Sequence, residues 1–378
     1  MKIGIIGGGQ LGKMMVTEAK KMGFYVAILD PTPNCPAHSM VDNHIVANFD
    51  DQEAIRQLAK ECQVLTYEFE HIDVEVLLKL EKEGHRIYPT PKSLALIQNK
   101  YIQKQCLEKK HIPIPEFLQV QGTQDIEKAG EQWGYPLILK TCTGGYDGKG
   151  NAVIRDKNDI EQAYEQLGQG QFPLMVEEWI VFEKEISVLA CRGTDGEVGI
   201  YPIGENDHQD NILVETKVPA QLPPSVEKKA KQLAKEVMEV FEGVGMFCVE
   251  MFVTKAGQVY INEVAPRPHN SGHYTIEGCI TSQFEQHIRS ICHLPLGDTT
   301  LHSPIVMRNL LGAEKEGKAV VKGMKEALAV PGLTLHIYGK EKVSLQRKMG
   351  HFTVQAMTLE EAVKQAREAS VYIKVVGE

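Results

Sequence analysis

The first ninety residues alternate between short apolar runs and segments of helical spacing, and this alternation restricts the fold more than any other feature of the chain. KIGII at 2–6 has the continuous apolar character of a strand buried on both faces. Residues 10–22 follow with helical periodicity, and YVAILD at 25–30 supplies the next strand. A helix capped by Asp50 or Asp51 leads into VLTYEF at 64–69, and DVEVLLKLEKEG opens at Asp73 and loses its helical pattern at Gly84. Strands joined by crossover helices pair in parallel, so this region is expected to form a doubly wound α/β sheet.

Beyond Pro91 the pattern changes. A polar helix at 99–110 is broken by Ile112-Pro113-Ile114-Pro115, because proline disfavours helix at the residue before it, and a domain junction is expected there. Residues 116–265 are rich in strands: PLILK, LMVEEWI, EISVLAC, GIYPIG, GMFCVEMFVT and QVYINEVA. A helix starting at Pro223-Pro224-Ser225 interrupts them, which makes this region α+β. The last eighty residues, with HIYGK, QRKMGHFTV and a helix from Thr358, read as a small third unit. A length of 378 residues suits two or three domains.

The formal net charge of −9 argues against a general nucleic-acid surface, which needs clustered Lys and Arg. Eight cysteines without a C-x-x-C pair argue against zinc ribbons and disulfide frameworks. With no leader-like N-terminus and no run of about eighteen apolar residues, a cytoplasmic protein without a membrane partner is expected.

Gly7-Gly8-Gly9-Gln10-Leu11-Gly12 follows a strand and opens a helix, and Asp30 ends the next strand about twenty residues on. That spacing fits NAD, with Asp30 on the ribose hydroxyls, and equally fits a tight turn that binds no cofactor. TCTGGYDGKG at 141–150 suggests a phosphate loop, but Gly148-Lys149 is followed by Gly150 and Thr143 stands where the first glycine belongs, so it is not a Walker motif.

The most informative carboxylates lie in GMFCVEMFVTKAGQVYINEVAPR. A two-residue Ala256-Gly257 loop sets Glu250 opposite Glu263, with Cβ atoms about 4.5 to 5.5 Å apart on one face. Like charges so close need an offset, and a hard divalent cation supplies it; solvated glutamates on an exposed hairpin are the alternative. Lys140 closes an apolar strand before the glycine loop, within reach of a phosphate or simply at the surface. Glu177-Glu178-Trp179-Ile180 joins an acidic pair to an aromatic, which suits an adenine amino group and ribose hydroxyls, although Trp179 and Ile180 suit core packing as well. Lys100 and Glu185 say little by themselves. In APRPHNSGH, Arg267 is expected on the strand face of Glu263, with His269, Asn270, Ser271 and His273 crowding the loop that follows. Lys340 and Arg347-Lys348 form a cationic cluster, either solvated or holding a phosphorylated substrate.

Together GGGQLG, TGGYDGKG, EEWI, HQDNIL, VEMF, INEVAPRPHNSGH and QRKMGH resemble the ATP-grasp ligases, and more closely the N5-carboxyaminoimidazole ribonucleotide synthetases of purine biosynthesis, nearly end to end. The resemblance implies a Rossmann-like pre-ATP-grasp domain at 1–97, an ATP-grasp domain at 98–297 and a small C-terminal domain at 298–378, in a homodimer. It implies ATP contacts from Lys100, Lys140, Gly145, Tyr146, Asp147, Gly148, Lys149, Gly150, Asn151, Glu177, Glu178, Trp179, Ile180, Glu185, His208, Asn262 and Glu263. Glu250 and Glu263 would hold Mg2+. Tyr146, Asp147, Arg267 and His269, with Asn270 and Ser271, would face bicarbonate and the imidazole, and Lys340 and Arg347 the ribonucleotide phosphate. Many grasp enzymes carry asparagine two residues after the second metal glutamate; this chain has Ala265 there. The reaction implied joins ATP, bicarbonate and aminoimidazole ribonucleotide through carboxyphosphate, with the glycine loop as a flap over the triphosphate. A formate-dependent glycinamide ribonucleotide ligase of the same superfamily, an NAD-dependent dehydrogenase and a non-catalytic nucleotide sensor are the competing readings.

Overall fold

The computed structural model describes residues 1–145 and 150–378. Its N-terminal sheet is parallel throughout. Lys2–Ile6 lies between Tyr25–Leu29 and Val64–Tyr67, and Asn43–Ile45 extends the sheet beyond Tyr25–Leu29. Local chemistry sets the connecting helices. The Asp51 carboxylate accepts from the Ala54 N–H, Asp73 does the same for Glu75 and Val76, and Thr90 caps a further helix that has Pro91 in its first turn. Ile3 and Ile5 of the sheet and Met15 and Val16 of the helix Gln10–Lys21 share one cluster with Phe284, Ile288 and Ile291, so the N-terminal unit shares a core with the helix Gln283–Ile291.

Two sheets build the middle of the chain. Phe117–Val120, Leu174–Glu178, Leu137–Thr141 and Asn151–Ile154 form an antiparallel sheet, with the helices Thr123–Trp133 and Ile160–Gln166 packed on it. The larger sheet contains Val259–Ala265, Gly245–Val253, Lys184–Arg192, Gly204–Gln209 and Ile212–Val218 in that spatial order. Behind it runs Pro224–Phe241, whose buried residues Val226, Ala230, Leu233, Ala234, Val237, Met238 and Phe241 recur at helical spacing. Each large side chain among them contributes about 1.5–3 kcal/mol by leaving water. A left-handed Glu242 (φ 49°) ends this helix.

The C-terminal unit has its own core, in which Val306, Phe352 and Val354 pack beneath Ala362, Ala366 and Ala369 of the Thr358-capped helix Leu359–Tyr372. It has no separate main sheet, however. Ile305–Ala313 pairs with Ile212–Val218, so residues after 304 continue the larger sheet. All eight cysteines are free and seven are buried, Cys106 being half-buried. Among the described residues no helix is long and apolar enough to cross a membrane.

Candidate functional site

The N-terminal turn, both middle sheets and the C-terminal unit all line one cleft of about 1050 Å³. At its centre is the hairpin of Gly245–Val253 and Val259–Ala265. The two-residue loop expected from the sequence does not form. The strands close at Val253 and Val259, leaving residues 254–258 in the turn, and Met251 pairs with Ile261 instead of Asn262. A β-bulge between Glu250 and Met251 then absorbs one residue and restores Glu250 opposite Glu263. The bulge has a second effect. It breaks the alternation of side chains along the strand, so Asn262 and Glu263, although adjacent, both line the cleft.

Charge around this hairpin is divided unevenly. Burial, together with the charges of Glu185 and Glu263, pushes the Glu250 carboxyl up to about 7. Burial acts on Glu263 in the same direction, but the Lys100 ammonium, with Nζ 2.6 Å from its Oε2, outweighs it and holds Glu263 below the usual carboxylate range. Glu185 is bonded to His208 at 3.1 Å, and the pair raises the imidazole pKa against the effect of burial. His269 Nε2 lies 3.7 Å from Glu250 Oε1. Among the described residues no group of three or more His, Cys, Asp or Glu is gathered so as to hold a metal by itself.

On the opposite sheet, Lys140 Nζ is 2.8 Å from Glu177 Oε2 and 3.5 Å from Asn262 Oδ1. Glu177 is 2% exposed and also faces the buried Lys104, so its carboxylate is committed to lysines inside the wall of the cleft. Glu178, Trp179 and Ile180 line the cleft, and Trp179 stands at the surface, not in the core. Gly145 and Asn151 line it too, whereas Gly150 does not. Tyr146, Asp147, Gly148 and Lys149 lie outside the described residues. Phe182 stacks on Phe252, ring centroids 4.6 Å apart, giving the cleft an aromatic patch that the sequence reading lacked.

Arg267 shares the cavity with Glu263 as expected, with its Nε 2.8 Å from Glu70 of the N-terminal unit. The Ser271 N–H donates to His269 Nδ1 at 3.3 Å and Ser271 Oγ lies 2.9 Å from the same atom, which leaves the ring proton on Nε2. Burial, reinforced by the Arg267 charge, keeps the His269 pKa well below its ordinary value. Ser271 is fully buried behind that ring and is not among the residues lining the cleft, contrary to the expectation that it faces a substrate. Asn270 reaches the cleft and exchanges two hydrogen bonds with Asn309, at 2.9 and 2.7 Å. Lys340 donates to the Lys348 carbonyl and Arg347 to the Lys342 carbonyl, and both line the end of the cleft shared with Gly9, Gln10 and Leu11.

Of the two readings of GGGQLG, the hydrogen bonds favour the tight turn that binds no cofactor. The Gly9 and Gly12 N–H groups donate to the Glu68 carboxylate at 2.8 and 2.6 Å, and the Gly8 N–H donates to Asp30 at 2.9 Å. The donors that would cradle a pyrophosphate already hold a carboxylate of the chain, and Asp30 serves the turn. Gly12 is needed for close approach, since a Cβ there would lie 2.5 Å from the Gly7 carbonyl oxygen. Glu68 and Glu70 were missed by sequence reasoning. Their signal was position: carboxylates just past the C-terminal end of a parallel strand, where open α/β sheets place ligands. Lys104 and Asn309 gave no such signal.

Comparison with known proteins agrees with this arrangement. The ribonucleotide synthetase preATP-grasp domain model matches residues 1–98, the ATP-grasp domain model residues 105–284, and the phosphoribosylaminoimidazole carboxylase C-terminal domain model residues 305–365. N5-carboxyaminoimidazole ribonucleotide synthase of Bacillus subtilis is 42% identical over 368 residues, covering 96% of this chain and 93% of that protein. Phosphoribosylaminoimidazole carboxylase of Schizosaccharomyces pombe is 44% identical over 362 residues, and this chain spans 64% of its length. The crystal structure of N5-carboxyaminoimidazole ribonucleotide synthetase from Thermotoga maritima superposes with a TM-score of 0.92 at 48% identity, covering 100% of this chain and 99% of that one. The Aspergillus clavatus N5-carboxyaminoimidazole synthase, solved with ADP and 5-aminoimidazole ribonucleotide, gives 0.91 at 36% identity over 98% and 97% of the two chains. The chain therefore belongs to the N5-carboxyaminoimidazole ribonucleotide synthase family and has its ATP-grasp fold, with an N-terminal preATP-grasp domain and the family's C-terminal domain.

Proposed function

We propose that this chain carboxylates 5-aminoimidazole ribonucleotide with bicarbonate at the expense of ATP, through carboxyphosphate, releasing N5-carboxyaminoimidazole ribonucleotide, ADP and phosphate in purine biosynthesis. The observation that carries this reading is the single cleft in which the Glu250–Glu263 pair, the lysines Lys100 and Lys140, Arg267 and the cationic pair Lys340 and Arg347 all converge. Such a cleft suits two anionic substrates and the transfer of a phosphoryl group between them.

Lys140, next to Gly145 and Asn151, contacts the ATP phosphates, and Trp179, Ile180 and the Phe182–Phe252 stack flank the base. Glu250 and Glu263 fit Mg2+: two facing carboxylates, with no group of three or more possible ligands among the described residues, suit an ion that prefers to keep positions for phosphate oxygens and water over an all-protein cage. When bound, the ion neutralises charge on the transferring phosphoryl. Arg267, steadied by Glu70, forks onto the oxygens of the activated bicarbonate. His269 presents Nε2–H to the cleft, which suits it to donate a hydrogen bond to a developing carboxylate. Of the three candidates for the amine proton, Tyr146, Asp147 and His269, the last has no free ring nitrogen in the cleft to accept it, because Nδ1 accepts the Ser271 N–H and Nε2 carries the proton, so this role falls to Tyr146 or Asp147. Asn270 meets the substrate while Asn309 fixes its amide, and Lys340 and Arg347 hold the ribonucleotide phosphate.

Domain divisions at 97/98 and 297/298 are part of the proposal, supported by the matched segments 1–98, 105–284 and 305–365. A homodimer is also part of the proposal, and rests on the family resemblance. The test is phosphate release with ATP, bicarbonate and aminoimidazole ribonucleotide, each omitted in turn. Turnover that needs formate in place of labelled bicarbonate would overturn the assignment.

A further inference from the structure

Lys100 and Lys104 are one turn apart on the helix Lys100–Glu108 and point the same way, yet only Lys100 reaches the cleft. Lys104 is 2% exposed, with Nζ 3.3 Å from Glu177 Oε1, while Lys140 Nζ is 2.8 Å from Glu177 Oε2. Among the described residues neither Lys104 Nζ nor Glu177 Oε1 has a hydrogen-bond partner, so the two charges face each other at 3.3 Å without the alignment of a good bond. One buried carboxylate thus serves two ammonium groups, and one of these is in excess. A buried ammonium is costly to maintain, and packing does not require it, because apolar residues of similar volume fill such positions well.

The excess becomes intelligible once Lys140 is needed elsewhere. On the reading of Lys140 as a phosphate contact, on which this inference rests, its ammonium turns from Glu177 toward ATP. Glu177 is then a buried carboxylate short of a counter-ion, and that penalty counts against ATP affinity. We propose that Lys104 is a positioning residue that takes over Glu177 when Lys140 turns to the nucleotide phosphates, so that Lys140 leaves without stranding a buried charge. Burial lowers the Lys104 pKa to about 8, which leaves the side chain cationic at neutral pH.

Calorimetric titration of ATP and of AMP into the full chain tests this, using Lys104→Met, Glu177→Gln, the double variant and Lys140→Met. Lys104→Met should weaken ATP by at least about ten-fold, since Lys140 stays with Glu177, and should leave AMP unchanged because it lacks the phosphates concerned. Adding Glu177→Gln should restore ATP affinity to that of Glu177→Gln alone, a rescue that a packing defect would not show. Lys104→Arg should bind ATP as the parent does. If Lys104→Met fails to fold, Lys104→Gln, which keeps a polar group at the buried position, takes its place in the same comparison. The inference is overturned if the double variant binds ATP as weakly as Lys104→Met, or if AMP weakens as much as ATP. Unchanged ATP affinity in Lys140→Met would instead refute the phosphate role of Lys140, which separates the two failures.

Discussion

His287 is the joint between the N-terminal sheet and the grasp sheet. It sits in the helix Gln283–Ile291 and is completely buried. Its Nδ1 accepts the Met246 N–H at 3.1 Å, and Nε2 lies 2.7 Å from Thr66 Oγ1 on the strand Val64–Tyr67. A proton added at Nδ1 would confront the Met246 N–H, and burial already pushes the pKa down to about 3. An unfolded histidine titrates near 6.5, so between these values the unfolded chain binds a proton that the native chain refuses. Stability is therefore complete above about pH 6.5 and falls as the pH drops below it. At pH 5 the loss is 1.5 units at about 1.36 kcal/mol per unit, or about 2 kcal/mol. That figure holds for any native value below about 4, because native His287 is then neutral at pH 5. Urea unfolding of the parent and His287→Gln at pH 7 and pH 5 gives the test. The parent should lose about 2 kcal/mol more than the variant over this interval, as the other buried histidines contribute to both and cancel. Equal losses would refute the reasoning.

Glu250→Gln should retain its circular dichroism and lose at least about a hundred-fold in ATP-dependent phosphate release, since the carboxylate pair is broken without a change of shape. Lys340→Met should raise KM for aminoimidazole ribonucleotide by about ten-fold or more, with KM for ATP unaffected, because a charge-assisted phosphate contact contributes about 1.5–3 kcal/mol. Glu70→Gln removes the partner that steadies Arg267, so kcat should fall while calorimetric ATP affinity holds. Asn309→Leu leaves the Asn270 amide buried without its partner, and urea unfolding should show a loss of about 1–3 kcal/mol.

The sequence by itself determined what depends on neighbours along the chain. Apolar runs marked Lys2–Ile6 and Gly245–Val253 because strand burial is written residue by residue, and Asp51, Asp73 and Thr358 announced their helices because a cap bonds amides two or three positions away. It also placed Glu250 against Glu263, although by a turn that does not form. Only the tertiary structure decided the bulge that turns Asn262 and Glu263 into one cleft, the seating of Glu68 on the Gly9 and Gly12 amides, and the joining of Ile305–Ala313 to Ile212–Val218. It likewise brought Lys104 to Glu177 and His287 to Thr66, across 73 and 221 residues of chain. These contacts depend on which surfaces bury one another once strands and helices exist. No local periodicity encodes that choice, because it is made by the free energy of the whole packed arrangement.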